Sequence, residues 1–302
     1  MEQFRDYFFI SEETSVYKSE YHTGYSDHSD NTAQVPFLDF VNYKACYRKH
    51  KALTFSFDDG RKEDRRLVEL FNQYGMKGTF NLNSGLHNAE RIPISEYKEL
   101  YRGHEVACHT VLHPTITRSP LDQVAQQILE DRRALEELVE TPVCGLAYPN
   151  GSYTHKIQEL LPALGIRYAR TVRSAQDFAI PEDFTEWNPT CHFRRGMLEL
   201  GQQFLTMHKT QYLYLMYVWG HSYELPEQDG WAQMEQFCKT MSHQDDIWYA
   251  TNIEIVNALE NASRLQFTVN GDLCYNPNAA SCWVSVGGKN YELPGGTTTR
   301  LE

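Results

Sequence analysis

From residue 52 onward, apolar and polar positions follow two alternating periods. Leu53, Phe55 and Phe57 recur at every second position, as strand residues do, and Leu67, Leu70, Phe71 and Tyr74 then share one helical face that Gly75 closes. The unit repeats along the chain. The pattern predicts strands over 78–82, 105–109, 143–147, 168–172, 212–219 and 247–250. Helices are predicted over 94–102, 121–139, 155–164, 198–208, 230–242 and 252–261. The clearest is 121–139, with Ser119 as cap, Pro120 in the first turn and Leu121, Val124, Ile128, Leu135 and Leu138 as its apolar stripe. Strands alternating with helices imply parallel pairing, with helices outside. About seven such units predict an α/β fold closed into a (β/α) barrel over 51–262. From residue 265 the period becomes two, with Asn-Gly and Gly-Gly turns, so residues 263–302 read as a small antiparallel β appendage. Residues 1–50 lack a period and read as an irregular extension with one short strand near 36–41.

Composition narrows the class more than the chemistry. A chain of 302 residues with 41% hydrophobic and 13% aromatic content can bury a large core, which excludes wholesale disorder. A net charge of -12 without a long basic run argues against nucleic acid or an anionic membrane as partner. No stretch approaches the roughly 20 apolar residues of a membrane helix, and the charged first ten residues do not resemble a secretory leader. Seven dispersed cysteines without a C-x-x-C read as reduced thiols, so a cytoplasmic location is expected. Cys274 and Cys282 could pair across a hairpin, but free thiols are the expected state.

Two short segments carry the candidate chemistry. Ser56-Phe57-Asp58-Asp59-Gly60 closes the first barrel strand. Adjacent strand residues face opposite sides, so Asp58 and Asp59 can serve one site only where the backbone turns, and Gly60 permits that turn. The competing reading makes one aspartate a helix cap and leaves the other in solvent. His109-Thr110-Val111-Leu112-His113-Pro114 leaves a later strand. Four-residue spacing would unite two histidines on a helix, but Val111, Thr110 and Pro114 disfavour one, so a loop wrapping both imidazoles round a cation is expected. With Asp59 added, two imidazoles and one carboxylate make a facial ligand set with open positions. Asp58 would then remain as a spare general base.

These segments resemble the first and second motifs of the polysaccharide deacetylase family, the NodB-homology carbohydrate esterases. Thr/Ser-Phe-Asp-Asp-Gly matches 56–60 and His-Thr/Ser-x-x-His-Pro matches 109–114. The resemblance covers roughly residues 50 to 260. It implies a distorted (β/α) barrel, a divalent metal held by Asp59, His109 and His113, and Asp58 as base. Zinc is the first expectation, with cobalt, nickel or iron also compatible.

The family's third motif, Arg-x-Pro-Tyr/Phe-Gly, maps to Ala147-Tyr148-Pro149-Asn150-Gly151, where the backbone N–H of Asn150 can still donate to an oxyanion. The arginine that braces the base is replaced by Ala147, and Arg170 or Arg173 could substitute for it. Asp183-Phe184-Thr185-Glu186-Trp187 only outlines the fourth motif. The fifth maps to 213–221 and offers His221 as general acid. Glu224 could orient His221 or bind substrate hydroxyls. Tyr148, Trp187, Trp219 and Tyr223 either stack on a sugar ring or belong to the core.

The resulting expectation is a metal-dependent hydrolase that removes an acetyl group from an N-acetylated or O-acetylated sugar or glycan. A second reading keeps fold and metal but takes a non-sugar amide. A third is a non-catalytic carbohydrate-binding protein, against which the full set Asp58, Asp59, His109, His113 and His221 argues.

Overall fold

The computed structural model describes residues 42–44, 49–208 and 213–301. The strand expected near 36–41 and Cys46 lie outside the described residues. The elements run β1 Asn42–Lys44, β2 Lys51–Asp58, α1 Asp64–Tyr74, β3 Gly78–Leu82, α2 Tyr97–Leu100, β4 Glu105–Cys108 and α3 Leu121–Val139. They continue with β5 Gly145–Ala147, α4 His155–Leu160, β6 Tyr168–Arg170, β7 Cys191–His192, α5 Met197–Leu205, β8 Tyr214–His221, α6 Gly230–Met241, β9 Ile247–Tyr249 and α7 Asn252–Ser263. Short antiparallel strands follow: β10 Gln266–Phe267, β11 Leu273–Tyr275, β12 Cys282–Val286, β13 Lys289–Leu293 and β14 Thr298–Arg300. No helix among the described residues is long and apolar enough to cross a membrane.

The distorted (β/α) barrel is present. Its parallel sheet runs β6-β5-β4-β3-β2-β8-β7, and β9 pairs with the first residues of β2. Hydrophobic alternation sets the faces of the sheet. Leu53, Phe55 and Phe57 enter the large core under the helices with Leu67, Phe71 and Phe237. The intervening Ala52, Thr54, Ser56 and Asp58 turn to the barrel interior, which is why a polar column can end in a carboxylate. The segment 187–192 crosses between the open edges. Trp187 bridges Arg170 of β6, and β7 pairs with β8 at Cys191 and His192. Within the barrel sheet, β7 is a strand that periodicity did not reveal, being two residues long.

Two local expectations change. Helix α3 starts at Leu121 with Pro120 at the cap position, and Ser119 makes no side-chain cap bond. Gly75 ends α1 in the left-handed conformation at φ 67°, as its position predicts. Asn42–Lys44, inside the segment expected to be irregular, pairs antiparallel with β12. The C-terminal strands form two small sheets, β1-β12-β13 and β10-β11-β14, over a core of Leu265, Cys274, Cys282, Val284, Leu293 and Leu301. Cys274 and Cys282 form no disulfide.

The opposite end of the interior from Asp58 holds a buried carboxyl. Glu105 accepts from Thr79 Oγ1 at 2.9 Å, Tyr168 Oη at 2.7 Å and the Ile253 amide at 2.8 Å, yet burial outweighs these bonds and raises it to about 7. An acid raised above its unfolded value of roughly 4.3 contributes stability below that pH and loses it as pH rises through 7. Asp64, raised to about 7, and Asp131, raised to about 6, add to the same slope. Urea unfolding at pH 5 and pH 8 should show this contribution of the acids lost with rising pH, against an opposite slope from His104 and His109, both lowered to about 4. Glu105→Gln should remove up to about 3 kcal/mol of that difference. An unchanged slope in the variant would mean Glu105 is ionised throughout.

Candidate active site and metal centre

The site begins as one row across three strand ends. Asp58 on β2 is in register with Asn81 on β3 and with His221 on β8. Asn81 Nδ2 donates to Asp58 Oδ1 at 2.8 Å, while His221 Nε2 lies 3.9 Å from Asp58 Oδ2. The chain then turns at once: Asp59 has φ 80° and Gly60 φ 60°, both left-handed. That turn brings the next carboxylate to the same rim. Such backbone in a non-glycine residue costs on the order of 1–3 kcal/mol and gathers at working sites. Thr110 at φ 65°, His113 at φ 54° and Asn150 at φ 56° share it.

His109 follows the end of β4, and its loop is not helical, as the β-branched residues and Pro114 require. Asn83 Nδ2 donates to the carbonyls of His109 at 2.7 Å and Thr110 at 2.9 Å, and Asp131 accepts from the His109 amide at 3.0 Å. The His113 amide donates to Thr110 Oγ1 at 3.1 Å, which folds the loop so that the two imidazoles meet edge to face at 4.6 Å. His109 Nδ1 lies 2.8 Å from the Ala147 carbonyl, so it carries the proton and leaves the Nε2 lone pair free. Burial lowers His109 to about 4, keeping the ring neutral, as a metal ligand must be. One ligand atom each from Asp59, His109 and His113 lies within 4.8 Å of the others. Arg91 donates to the Asp59 carbonyl, and its Nη2 lies 3.5 Å from Asp59 Oδ1.

The structure distinguishes the two candidate braces for Asp58. Arg170 is fully buried and donates through Nη2 to Asp58 Oδ2, whereas Arg173 is exposed. Ala147 of β5 is in register with Arg170 of β6, so the guanidinium stands one strand over from the position where the motif would put it. Arg170 also donates through Nη1 to the Thr171 carbonyl at 3.0 Å and lies 4.5 Å over the Trp219 ring. Burial would raise the Asp58 carboxyl, but Arg170, His109 and His221 together hold it below the usual carboxylate range.

His221 is backed by Glu224, which follows in a short turn and receives the His221 amide at 3.5 Å. Burial lowers His221, but Glu224 and Asp58 outweigh it and leave the imidazole raised. A second imidazole, His192, reaches Glu224 Oε2 through Nε2 at 3.0 Å. These residues and Trp219 line an open cleft of about 540 Å³ with Val172 and Arg195. Tyr223, 38% exposed, lies beside the His221 ring at 5.1 Å.

Two aromatic candidates are core side chains instead. Tyr148 is 1% exposed, stacks on Tyr153 and donates to the Thr185 carbonyl at 2.7 Å. Trp187 is fully buried against Tyr168, Phe184 and Tyr217. The outline of a fourth motif is likewise local structure, since Asp183 caps its own turn by accepting from the Thr185 amide at 2.7 Å. Asn150 stays on the rim in the Pro149–Gly151 turn, its Nδ2 donating to Thr115 Oγ1 at 3.2 Å. Sequence reasoning missed Asn81, Asn83, Arg91 and Asp131. The signal available was Asn81 and Asn83 at alternate positions where an apolar strand ends; Arg91 and Asp131 gave none.

Residues 47–169 match the polysaccharide deacetylase family. Among solved structures, a Mycobacterium smegmatis protein assigned as a polysaccharide deacetylase aligns at 18% identity over 72% of this chain and 93% of its own, with a TM-score of 0.54. The Streptococcus pyogenes deacetylase PplD, solved with acetate, aligns at 22% identity over 39% of this chain and 55% of its own, with a TM-score of 0.38. A Bacillus anthracis pseudoenzyme of carbohydrate esterase family 4 aligns at 15% identity over 69% of this chain and 65% of its own, with a TM-score of 0.44. No curated protein matches the chain by sequence.

Proposed function

We propose that this chain, which resembles the polysaccharide deacetylases and matches their family over residues 47–169, is a metal-dependent hydrolase that removes an acetyl group from an N-acetylated or O-acetylated sugar or glycan. The observation that carries the reading is the division of labour at the rim. Asp59, His109 and His113 present one ligand atom each within 4.8 Å, while Asp58, held by Arg170 and Asn81, stands beside that set with its Oδ2 3.9 Å from His109 Nε2. The ligand types fit a divalent cation, with zinc first and cobalt, nickel or iron also suited to two imidazoles and a carboxylate. The neutral His109 with its Nδ1 proton fixed on a carbonyl supports the fit. When bound, the ion would supply Lewis acidity toward an acyl oxygen and toward water.

The remaining work falls to the chain itself. Asp58 stays ionised at neutral pH and takes the proton of the attacking water. The N–H of Asn150, on a strained turn facing the rim, donates to the developing oxyanion. His221, whose imidazole is raised by its two carboxylate neighbours, gives a proton to the departing amine. Tyr223 is the exposed aromatic face left for a sugar, Trp219 being 8% exposed at the cleft wall with Arg170 over its ring, and Glu224 acts through His221 and His192. The burial of Tyr148 and Trp187 removes two stacking platforms, and this favours a second reading, an amidase of the same fold acting on a non-sugar C–N bond.

Acetate release separates the two. The zinc-loaded protein should release acetate from N-acetylglucosamine oligomers at least tenfold faster than from simple N-alkyl acetamides, and chelation followed by zinc should abolish and restore it. Preference for the simple amides would replace the sugar reading; no turnover of either would sink both.

A further inference from the structure

We propose that His192 Nε2, Glu224 Oε2 and His221 Nδ1 form a second divalent-cation site, apart from the Asp59–His109–His113 set, whose filling withdraws the proton donor His221. One ligand atom from each residue lies within 4.8 Å of the others. Glu224 Oε2 is 3.0 Å from His192 Nε2 and 3.6 Å from His221 Nδ1. Two ligands on a tetrahedral zinc with bonds of about 2.0–2.1 Å lie about 3.3 Å apart, so the observed pairs bracket that separation. His221 Nδ1 is buried, and its distance to the carboxylate is too long for a normal hydrogen bond between the two side chains. A shared cation would close that gap.

The three side chains are held by rigid elements. His192 lies on β7 in register with Trp219, whose ring meets its edge at 4.8 Å. Arg194 donates to the Glu224 carbonyl and pins the turn that carries the carboxylate. The surrounding charge makes this the weaker of the two sites. Arg194 is neutralised by Glu227 at 2.9 Å, but Arg195 adds a positive charge to the lining of the same cleft. Asp58 faces the other ring nitrogen of His221 at 3.9 Å.

The consequence rests on the role given to His221 above. As an imidazolium, His221 can release a proton at neutral pH. With Nδ1 ligated, the Nε2–H is that of a neutral imidazole, a far weaker acid. Excess zinc should therefore inhibit, with the first equivalent loading the enzyme and the second shutting it down.

Zinc titration of the metal-free full chain tests this, read by bound stoichiometry and by turnover. The protein should bind two equivalents, the second at least tenfold more weakly, with turnover falling as it fills. His192→Ala should bind one equivalent, and its inhibition midpoint, relative to its own uninhibited rate, should rise at least tenfold. Cobalt binding to the unmodified protein gives the same count without a variant, through the tetrahedral absorption of a second equivalent. A single equivalent bound while turnover falls, or two equivalents still bound by His192→Ala, overturns the second site alone. No metal bound at all overturns the proposed function with it.

Discussion

Asp58→Asn should lower kcat by about 10³-fold or more while the protein still binds one tight equivalent of zinc, because a positioned general base contributes roughly 10²–10⁴. The substituted amide keeps the size of the side chain and can still accept from Asn81 or Arg170, but it cannot take a proton. Neither Asp59 nor the two histidines depends on Asp58 for its backbone: the turn at Asp59 is fixed by Arg91, and the histidine loop by Asn83 and Asp131. The paired measurement is therefore decisive. Lost turnover with retained metal supports a base distinct from the ligands. Lost metal would make Asp58 a ligand, and retained turnover would move the base elsewhere, with His221 the nearest alternative.

The sequence was most legible where local pattern and fold agree. Alternation in β2 placed Leu53, Phe55 and Phe57 on the helix-facing side, and the same alternation left Asp58 for the interior. The two short motifs located the strand ends because their turn residues and prolines forbid continuation of regular structure. Legibility stopped at alternatives, Arg170 or Arg173 as brace, where a residue acts through register rather than through its neighbours in sequence. Arg170 braces Asp58 from a strand 112 residues away, and only the pairing of Ala147 with Arg170 makes it the partner. In sequence Trp187 is open to either reading, sugar platform or core, and only the bridge between two sheet edges turns the indole inward. His192 sits on a strand too short for any period to show.

The displaced brace leads to the second large effect. In Arg170→Met, Asp58 would remain 2% exposed with its main counter-charge gone. Breaking a buried pair from one side costs about 3–5 kcal/mol, more than losing both charges. The double variant Arg170→Met with Asp58→Asn should therefore regain most of that stability and none of the activity. The pH dependence reverses as well. In the unmodified protein the Asp58 carboxyl is lowered, so its stability contribution is present above an unfolded value of roughly 3.9 and lost as pH falls through the folded one. Without Arg170, burial dominates and raises the carboxyl, so Asp58 now destabilises as pH rises, and the acid limb of kcat/KM moves to higher pH. Urea unfolding of the single and double variants, with pH–rate profiles of Arg170→Met, tests both parts. A double variant no more stable than the single, together with an unmoved acid limb, would show that Arg170 packs against Trp219 without bracing the base.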